Sequence, residues 1–395
     1  MGLKHCIVIL DGASGWPLES LGGRTTLQAA STPNLDALAR AGQVGLARTV
    51  PPGVEPSSAA ACTSILGYDP VADAVGRGAI EAASMGIQLA PDEIALRMNL
   101  VNIEDGAMAS YSAGHIPTDE AREIVSDLSE ALGGGVFRFH PGVSYRHIMV
   151  VGGHPELLRT RYAPPHDISG KPIAGYLPSG EGARILRGLM EDAHEVLGAS
   201  VACRRRRENG ATPVSDIWPF WPGAAPGGIV PFAGRRGLSA ALTSGVDLLN
   251  GLATLTGIDR LNIPGVTDGP DNDYAGQATG ALEALGDHDL VVIHVETPDE
   301  AGHAGDVAAK IAGIEAIDRE VVARLREHDG MRILCMPDHP TPIALLTHVG
   351  EPVPFVLVGP GIRSNGAQAF EEAAAASTGL MVDPGYQVMD RLLAN

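Results

Sequence analysis

Three short apolar runs in this chain each break off at acidic residues, and few folds accommodate that pattern. They are His5–Leu10, which leads into Asp11-Gly12; Leu290–Ile293, which leads into the HVETPDEAGHAGD stretch at 294–306; and Arg332–Met336, which leads into Pro337-Asp338-His339-Pro340-Thr341-Pro342. Apolar runs without polar alternation suit strands buried on both faces of a parallel sheet. The carboxyl ends of such strands form a rigid edge where ligand sites collect. Asp299 and His303 are spaced so that one helical turn aims both at one point. With Asp338, His339 and the nearby His348, two acid-plus-imidazole clusters fall at successive strand ends. That arrangement points to a metal site, with ligands enough for two ions.

Between these strands the chain alternates with helical stretches. Thr32-Pro33-Asn34-Leu35-Asp36 reads as an N-cap with proline in the first helical position, opening a helix through about Ala41. The rigid loop Val50–Ser58 precedes the small apolar run Ala59–Ile65. Ser57 and Ser58 there are either helix caps or a nucleophile in the positive field of the helix dipole, and locally the cap is the plainer reading. Gly76-Arg77-Gly78 is either an arginine free to approach a phosphate or an ordinary turn.

From about residue 95 the texture changes. Arg97–Ile103 and Tyr145–Val151 read as strands, with helices at Thr118–Leu132 and about Gly182–Leu197. These mark 96–211 as an inserted cap or substrate domain, with 1–95 and 212–395 forming the core. Arg204–Arg207 reads as a solvated face. Ile217–Gly234, rich in Pro, Gly and Trp, reads as a hinge or long loop. Helices are expected near Leu238–Thr256, Tyr274–Leu285, Asp306–Glu327 and Gln387–Leu393, and a strand at Val353–Val358. The expected class is α/β, a mainly parallel sheet flanked by helices plus a smaller inserted α+β domain.

Composition narrows the chemistry. At 395 residues, 45% hydrophobic and 19% charged, the chain can bury a large core in two domains or one with an insertion. A net charge of −19 argues against nucleic acid and anionic membranes as partners. An acidic protein that binds phosphate esters then needs metals or a few placed arginines. The four cysteines are scattered and read as free thiols in a reducing compartment. No apolar run is long enough to span a bilayer, and Met1-Gly2-Leu3-Lys4 leads directly into a strand without a signal peptide. The expectation is a soluble cytoplasmic protein; a homo-oligomer stays open.

Taken together, Asp11, Ser58, Asp299, His303, Asp338, His339 and His348 resemble the constellation of the alkaline phosphatase superfamily. The chain is similar, more closely, to cofactor-independent phosphoglycerate mutases of the archaeal type. VILDG, STPNLDALARAG, SILGYDP, GRGAIEAASMGI, YSAGHI, YRH, PPHDISGKP, HVETPDEAGHAGD, PDHPTP and THVGEPVPF carry the likeness almost end to end. The resemblance implies two divalent ions, with Mn²⁺ favoured and Zn²⁺ or Mg²⁺ as alternatives. One would be bound by Asp299, His303 and His348, the other by Asp11, Asp338, His339 and the Ser58 oxygen. It implies a small phosphorylated substrate, 2- or 3-phosphoglycerate, whose phosphoryl group passes through Ser58 under a closed cap domain. By position Arg77, Arg97, Arg146 and Arg206 would grip phosphate and carboxylate, while His115 and His166 would move protons.

The chain also departs from the family pattern. Ala59 and Cys62 stand where an aspartate and an asparagine are usual, Cys203 replaces an asparagine, and Ser57 competes with Ser58 as nucleophile, with position favouring Ser58. Gln277, on the substrate side by position, replaces a lysine that would neutralise the transferring phosphoryl group. The runner-up reading is therefore a phosphatase, phosphodiesterase or phosphotransferase acting on another phosphorylated or phosphonylated metabolite. A metal-binding relative without chemistry is the third.

Overall fold

The computed structural model describes residues 2–394. The chain divides into two compact units, one made of residues up to Ala74 together with those from Ile229, the other Val75–Gly228. No helix among the described residues is long and apolar enough to cross a membrane.

The first unit is built on an eight-stranded sheet in the order Met381–Val382, Gln43–Ala47, Val353–Val358, Met331–Met336, Lys4–Leu10, Leu290–Val295, Ala240–Thr243 and Asp259–Arg260. The strand Lys4–Leu10 lies centrally and is parallel to both neighbours. Among the described strands of this sheet, only the pairings of Val353–Val358 with its two neighbours are antiparallel. The apolar runs of the three central strands are wholly buried, as a sheet covered on both faces requires. Side chains of Leu35, Leu38, Ala278, Ala281, Ile314 and Ile317 from flanking helices close one continuous core with Val8, Val291, Ile293 and Ile333.

The second unit is an α+β domain. Its long strand Glu93–Glu104 pairs antiparallel with Arg146–Gly152, Asp216–Ala224 and Ala107–Ser110, and Phe137–His140 adds to Arg146–Gly152. Helices Thr118–Leu132 and Ala183–Ala199 bury Ile124, Leu128, Leu186 and Leu197 in its core. The unit is wider than the 96–211 segment drawn from sequence, because helix Arg77–Ser84 and strand Asp216–Ala224 pack against Glu93–Glu104.

Two expectations of secondary structure fail. Ile217–Gly234 is not simply a loop, since Asp216–Ala224 is a strand. It pairs with Glu93–Glu104 alone among the described residues, and such an edge tolerates the missing N–H groups of Pro219 and Pro222. Leu238–Thr256 is not one helix. Ala240–Thr243 is a buried strand beside Leu290–Val295, and the helix runs Asp247–Thr256. Alanine and leucine favour helix locally, but ladder pairing in the sheet overrides that weak bias.

Helix Pro33–Ala41 starts as expected with proline in its first turn, yet the Thr32 side chain makes no capping bond. The cap comes from Asp318, in a π-helical turn at Ile317–Val322 that continues the helix Val307–Ala316. The buried Asp318 carboxylate accepts from the Leu35 N–H at 2.7 Å, the Asn34 N–H at 3.2 Å and the Asn34 side-chain amide at 2.9 Å. We predict that Asp318→Ala lowers unfolding stability by about 2–3 kcal/mol, since it strands buried donors as well as removing a cap. Thr32→Ala should cost only about 0.5 kcal/mol by comparison. Urea denaturation of both variants checks this, and equal losses would reject it.

Candidate functional site

Parallel registration carries the chemistry to one edge of the first unit's sheet. Leu10 lies opposite Val295 and Ile9 opposite Met336, so Asp11, the Glu296–Asp299 turn and Asp338-His339 emerge side by side. Gly12, at φ +60°, permits the closest approach: a Cβ there would lie 2.3 Å from Asp299 Oδ1. Its N–H donates to Asp338 Oδ1 at 3.0 Å.

Asp299 and His303 occupy the helix Thr297–Ala304, and His303 Nε2 lies 3.1 Å from Asp299 Oδ2. His348 Nε2 is 3.5 Å from the same oxygen and 2.8 Å from His303 Nε2. A second nest adjoins it. His339 Nε2 stands 3.0 Å from Asp338 Oδ2, 3.7 Å from Asp11 Oδ1 and 3.1 Å from Ser58 Oγ. The His339 and His348 rings are 4.0 Å apart by centroid, so His339 borders both nests, and Asp299 groups with His339 and His348 as readily as with His303. All seven sequence-nominated ligands therefore converge.

Ser58 is the first residue of helix Ser58–Ile65. The sequence alone left open whether these serines are caps or a nucleophile. Ser57 Oγ accepts the Ala60 N–H at 3.4 Å, which makes Ser57 the cap and leaves Ser58 facing His339.

The electrostatics of this pocket call for cations. Burial, then the charges of Asp338 and Asp299, push the Asp11 carboxyl well above the usual range. Burial and Asp11 do the same to Glu296. Asp299 is held well below that range in spite of its burial, by hydrogen bonds to His303 and His348. Asp11 Oδ1 and Glu296 Oε2 are buried without a hydrogen-bond partner. Buried acceptors with mixed imidazole neighbours are what divalent ions of the Mn²⁺ and Zn²⁺ kind satisfy. The residues present fit such ions.

Several supporting groups escape a reading of sequence. The Ser244 hydroxyl accepts from the Val246 N–H and stands 2.9 Å from His294 Nδ1, which leaves His294 Nε2–H to donate to Asp11 Oδ2 at 2.6 Å. Lys310 is fully buried and donates to the carbonyls of Thr341 at 2.7 Å and Ser14 at 3.2 Å, tying together the loops that follow two of the strands. Burial lowers its ammonium to about 8. A lone lysine in the apolar run around Ala308–Ile311 was the available signal. Gln277 is a correction. It is wholly buried, accepts from Asn272 at 2.9 Å and donates to the His294 carbonyl at 3.0 Å, so it braces the strand end and has no exposed atoms for substrate.

The second unit gathers cations around aromatic rings. Strand register passes from Leu96–Pro222 to Arg97–Phe220, leaving Trp221 as the extra residue of a bulge at φ +47°. The Arg77 guanidinium lies 3.9 Å from the Trp221 ring centroid, and Arg97 lies 5.7 Å from both Trp221 and Phe220. Glu81 accepts from Arg77 Nε and Arg97 at 2.8 Å each. Edge contacts then run from Trp221 to His166, Tyr111, His115 and Tyr145, with Arg146 over Tyr145 at 5.9 Å. Arg77, Arg97, Arg146, His115 and His166 thus share one network.

Arg206 does not join that network. Its buried guanidinium donates to Thr212 O at 2.7 Å, Glu120 at 2.6 Å and Ala113 O at 2.8 Å. It anchors the left-handed Ala113–His115 turn that carries His115. The other arginines of that run are exposed, as a solvated face requires.

His147, buried nearby with Nδ1 accepting the Gly142 N–H at 3.1 Å, is pushed down to about 3 by burial and by Arg97. The unfolded chain binds this proton below about pH 6.5 while the folded chain does not, so stability rises with pH through that window and falls on acidification by up to about 1.4 kcal/mol per unit. We predict that between about pH 7 and about pH 5 the wild type loses more urea stability than His147→Gln. Parallel losses in the two proteins would reject the assignment.

A family model described as 2,3-bisphosphoglycerate-independent phosphoglycerate mutase matches residues 39–201. A protein of Methanothrix thermoacetophila with that same name is 44% identical, over 99% of this chain and 100% of its own length. Among solved structures, a Pyrococcus horikoshii protein is 27% identical with TM-score 0.85 over 100% of this chain and 97% of that one. The cofactor-independent phosphoglycerate mutase of Thermoplasma acidophilum is also 27% identical, with TM-score 0.69 over 99% of each chain.

Proposed function

The chain belongs to the 2,3-bisphosphoglycerate-independent phosphoglycerate mutase family, and on that premise we propose that it interconverts 2- and 3-phosphoglycerate through a phosphoryl group carried on Ser58. The observation that carries this reading is the placement of Ser58 Oγ, at a helix N-terminus and 3.1 Å from His339 inside a nest of buried carboxylates and imidazoles.

In this reading Ser58 Oγ gives up its proton and bonds to phosphorus as the ester bond to one glycerate oxygen breaks, and that freed oxygen takes up one proton. The glycerate turns, its other hydroxyl gives up its proton and recovers the phosphoryl group, and the Ser58 oxygen is reprotonated. Atoms balance, and no bisphosphoglycerate is consumed. Asp299, His303 and His348 would hold one divalent ion, and Asp11, Asp338 and His339 with Ser58 the other, Mn²⁺ or Zn²⁺ by donor type. Bound there, such ions supply Lewis-acid neutralisation of phosphoryl charge and acidify the serine hydroxyl. His294 fixes Asp11, and Lys310 fixes the loops beneath.

Arg77 and Arg97, paired through Glu81, and Arg146 are the cations assigned to the substrate's anionic groups. His115 and His166, exposed on the same aromatic network, are the groups assigned to proton transfer. Four cysteines left as thiols suit a reducing compartment, and the cytoplasm is the proposed location.

The test is conversion of 3-phosphoglycerate to 2-phosphoglycerate by chelator-treated protein with and without added Mn²⁺ or Zn²⁺, in the absence of bisphosphoglycerate. We expect activity only when metal is restored. Release of inorganic phosphate without isomer would shift the reading to a phosphatase, and turnover of neither kind with any divalent ion would reject it.

A further inference from the structure

Cys62 occupies the helix Ser58–Ile65 one turn beyond Ser58. It is fully buried, but its surroundings are not those of a core thiol. Its Sγ lies 3.8 Å from Asp338 Oδ2. A carboxylate oxygen of Asp11, the Cys62 sulfur and a ring nitrogen of His294 all lie within 4.8 Å of one another. The second oxygen of this acidic pair is also informative. His294 occupies Asp11 Oδ2, whereas Asp11 Oδ1, on a residue with no solvent exposure, has no hydrogen-bond partner, His339 Nε2 standing off at 3.7 Å.

Metal–sulfur bonds of about 2.3 Å and metal–oxygen bonds of about 2.0–2.2 Å, at tetrahedral angles, place the two donors about 3.5 Å apart. The Cys62–Asp338 separation is close to that spacing. We propose that Cys62 is a further ligand, as thiolate, of the cation held by Asp11 and Asp338, so that this position takes a soft divalent ion, Zn²⁺ or Cd²⁺, in preference to Mn²⁺ or Mg²⁺. The inference rests on the metal reading above and deepens it. On binding, the S–H bond breaks, a sulfur–metal bond forms and the proton leaves to solvent, with no change of oxidation state. A soft donor in an otherwise oxygen and nitrogen set shifts selectivity toward thiophilic ions. Cys6, Cys203 and Cys335, the other buried thiols, belong to none of the acid-and-imidazole clusters found among the described residues.

The experiment titrates chelator-treated full-length protein with Cd²⁺ alone, following bound cadmium, proton release and ultraviolet absorption together. Wild type is expected to show a sulfur-to-cadmium charge-transfer band with its first bound ions. Cys62→Ser is expected to bind ions without that band and to release about one proton fewer per chain. Its preference for Zn²⁺ over Mn²⁺ in competition dialysis should fall by about tenfold or more. Cadmium bound by wild type without the band overturns the proposal while leaving the metal reading intact, and that result needs no variant. A band that persists in Cys62→Ser overturns it as well, by assigning the sulfur to another cysteine. Failure of wild type to bind any ion overturns both readings.

Discussion

Ser58→Ala is expected to lower kcat for phosphoglycerate interconversion by about 10⁴-fold or more, because in the proposed reaction Ser58 carries the transferred group and has no substitute. The structure separates this residue from its neighbour. Ser57 accepts the Ala60 N–H and so satisfies the helix end, whereas Ser58 turns its oxygen to His339. Ser57→Ala should therefore cost about 1 kcal/mol of stability as a lost cap and leave turnover within severalfold. The decisive readout is a trapped phosphoprotein: acid quenching with labelled phosphoglycerate should label wild type and Ser57→Ala, but not Ser58→Ala. Turnover in Ser58→Ala within about a hundredfold of wild type would remove Ser58 from the mechanism.

Glu81→Ala is the second large effect, this time on the fold of the other unit and on substrate affinity together. The Glu81 carboxyl is held below the usual carboxylate range by Arg97 and Arg77 in spite of burial. Its side chain is 14% exposed and that of Arg97 only 10%, so this is an ion pair largely withdrawn from water. Removing one partner of such a pair leaves a buried charge uncompensated, at a cost of about 3–5 kcal/mol. Glu81→Gln keeps an acceptor and should lose less. Urea unfolding measures the stability loss, and the KM for 3-phosphoglycerate should rise as Arg77 and Arg97 lose their common brace. A loss under about 1 kcal/mol with unchanged KM would show that the arginines are held by the aromatic rings alone.

The Gln277 position changes how the departures from the family pattern are weighed. By sequence it was a missing positive charge on the substrate side, and an argument for another substrate. In the structure its amide is enclosed by Asn272, Thr243 and the His294 backbone. What it alters is the support beneath Asp11. Cys62, by contrast, was one more substitution in a string of letters. Only the fold brings its sulfur to Asp338 and Asp11.

Much of the candidate site's edge was legible without coordinates, because apolar runs leading into Asp11, into the loop that holds Asp299 and into Asp338 describe buried parallel strands and their carboxyl ends in purely local terms. Strand, helix and turn chemistry within a few residues is written in side-chain periodicity, and so are the acids and imidazoles proposed as ligands at strand ends. What the tertiary structure alone decided depends on residues far apart in the chain. Asp318, not Thr32, caps the helix at Pro33. Ala240–Thr243 became a strand, Arg206 became an anchor and Lys310 became a buried tie. In each case a weak local preference, worth a fraction of a kcal/mol, yields to hydrogen bonds and burial worth about 1 kcal/mol or more that exist only once distant segments meet.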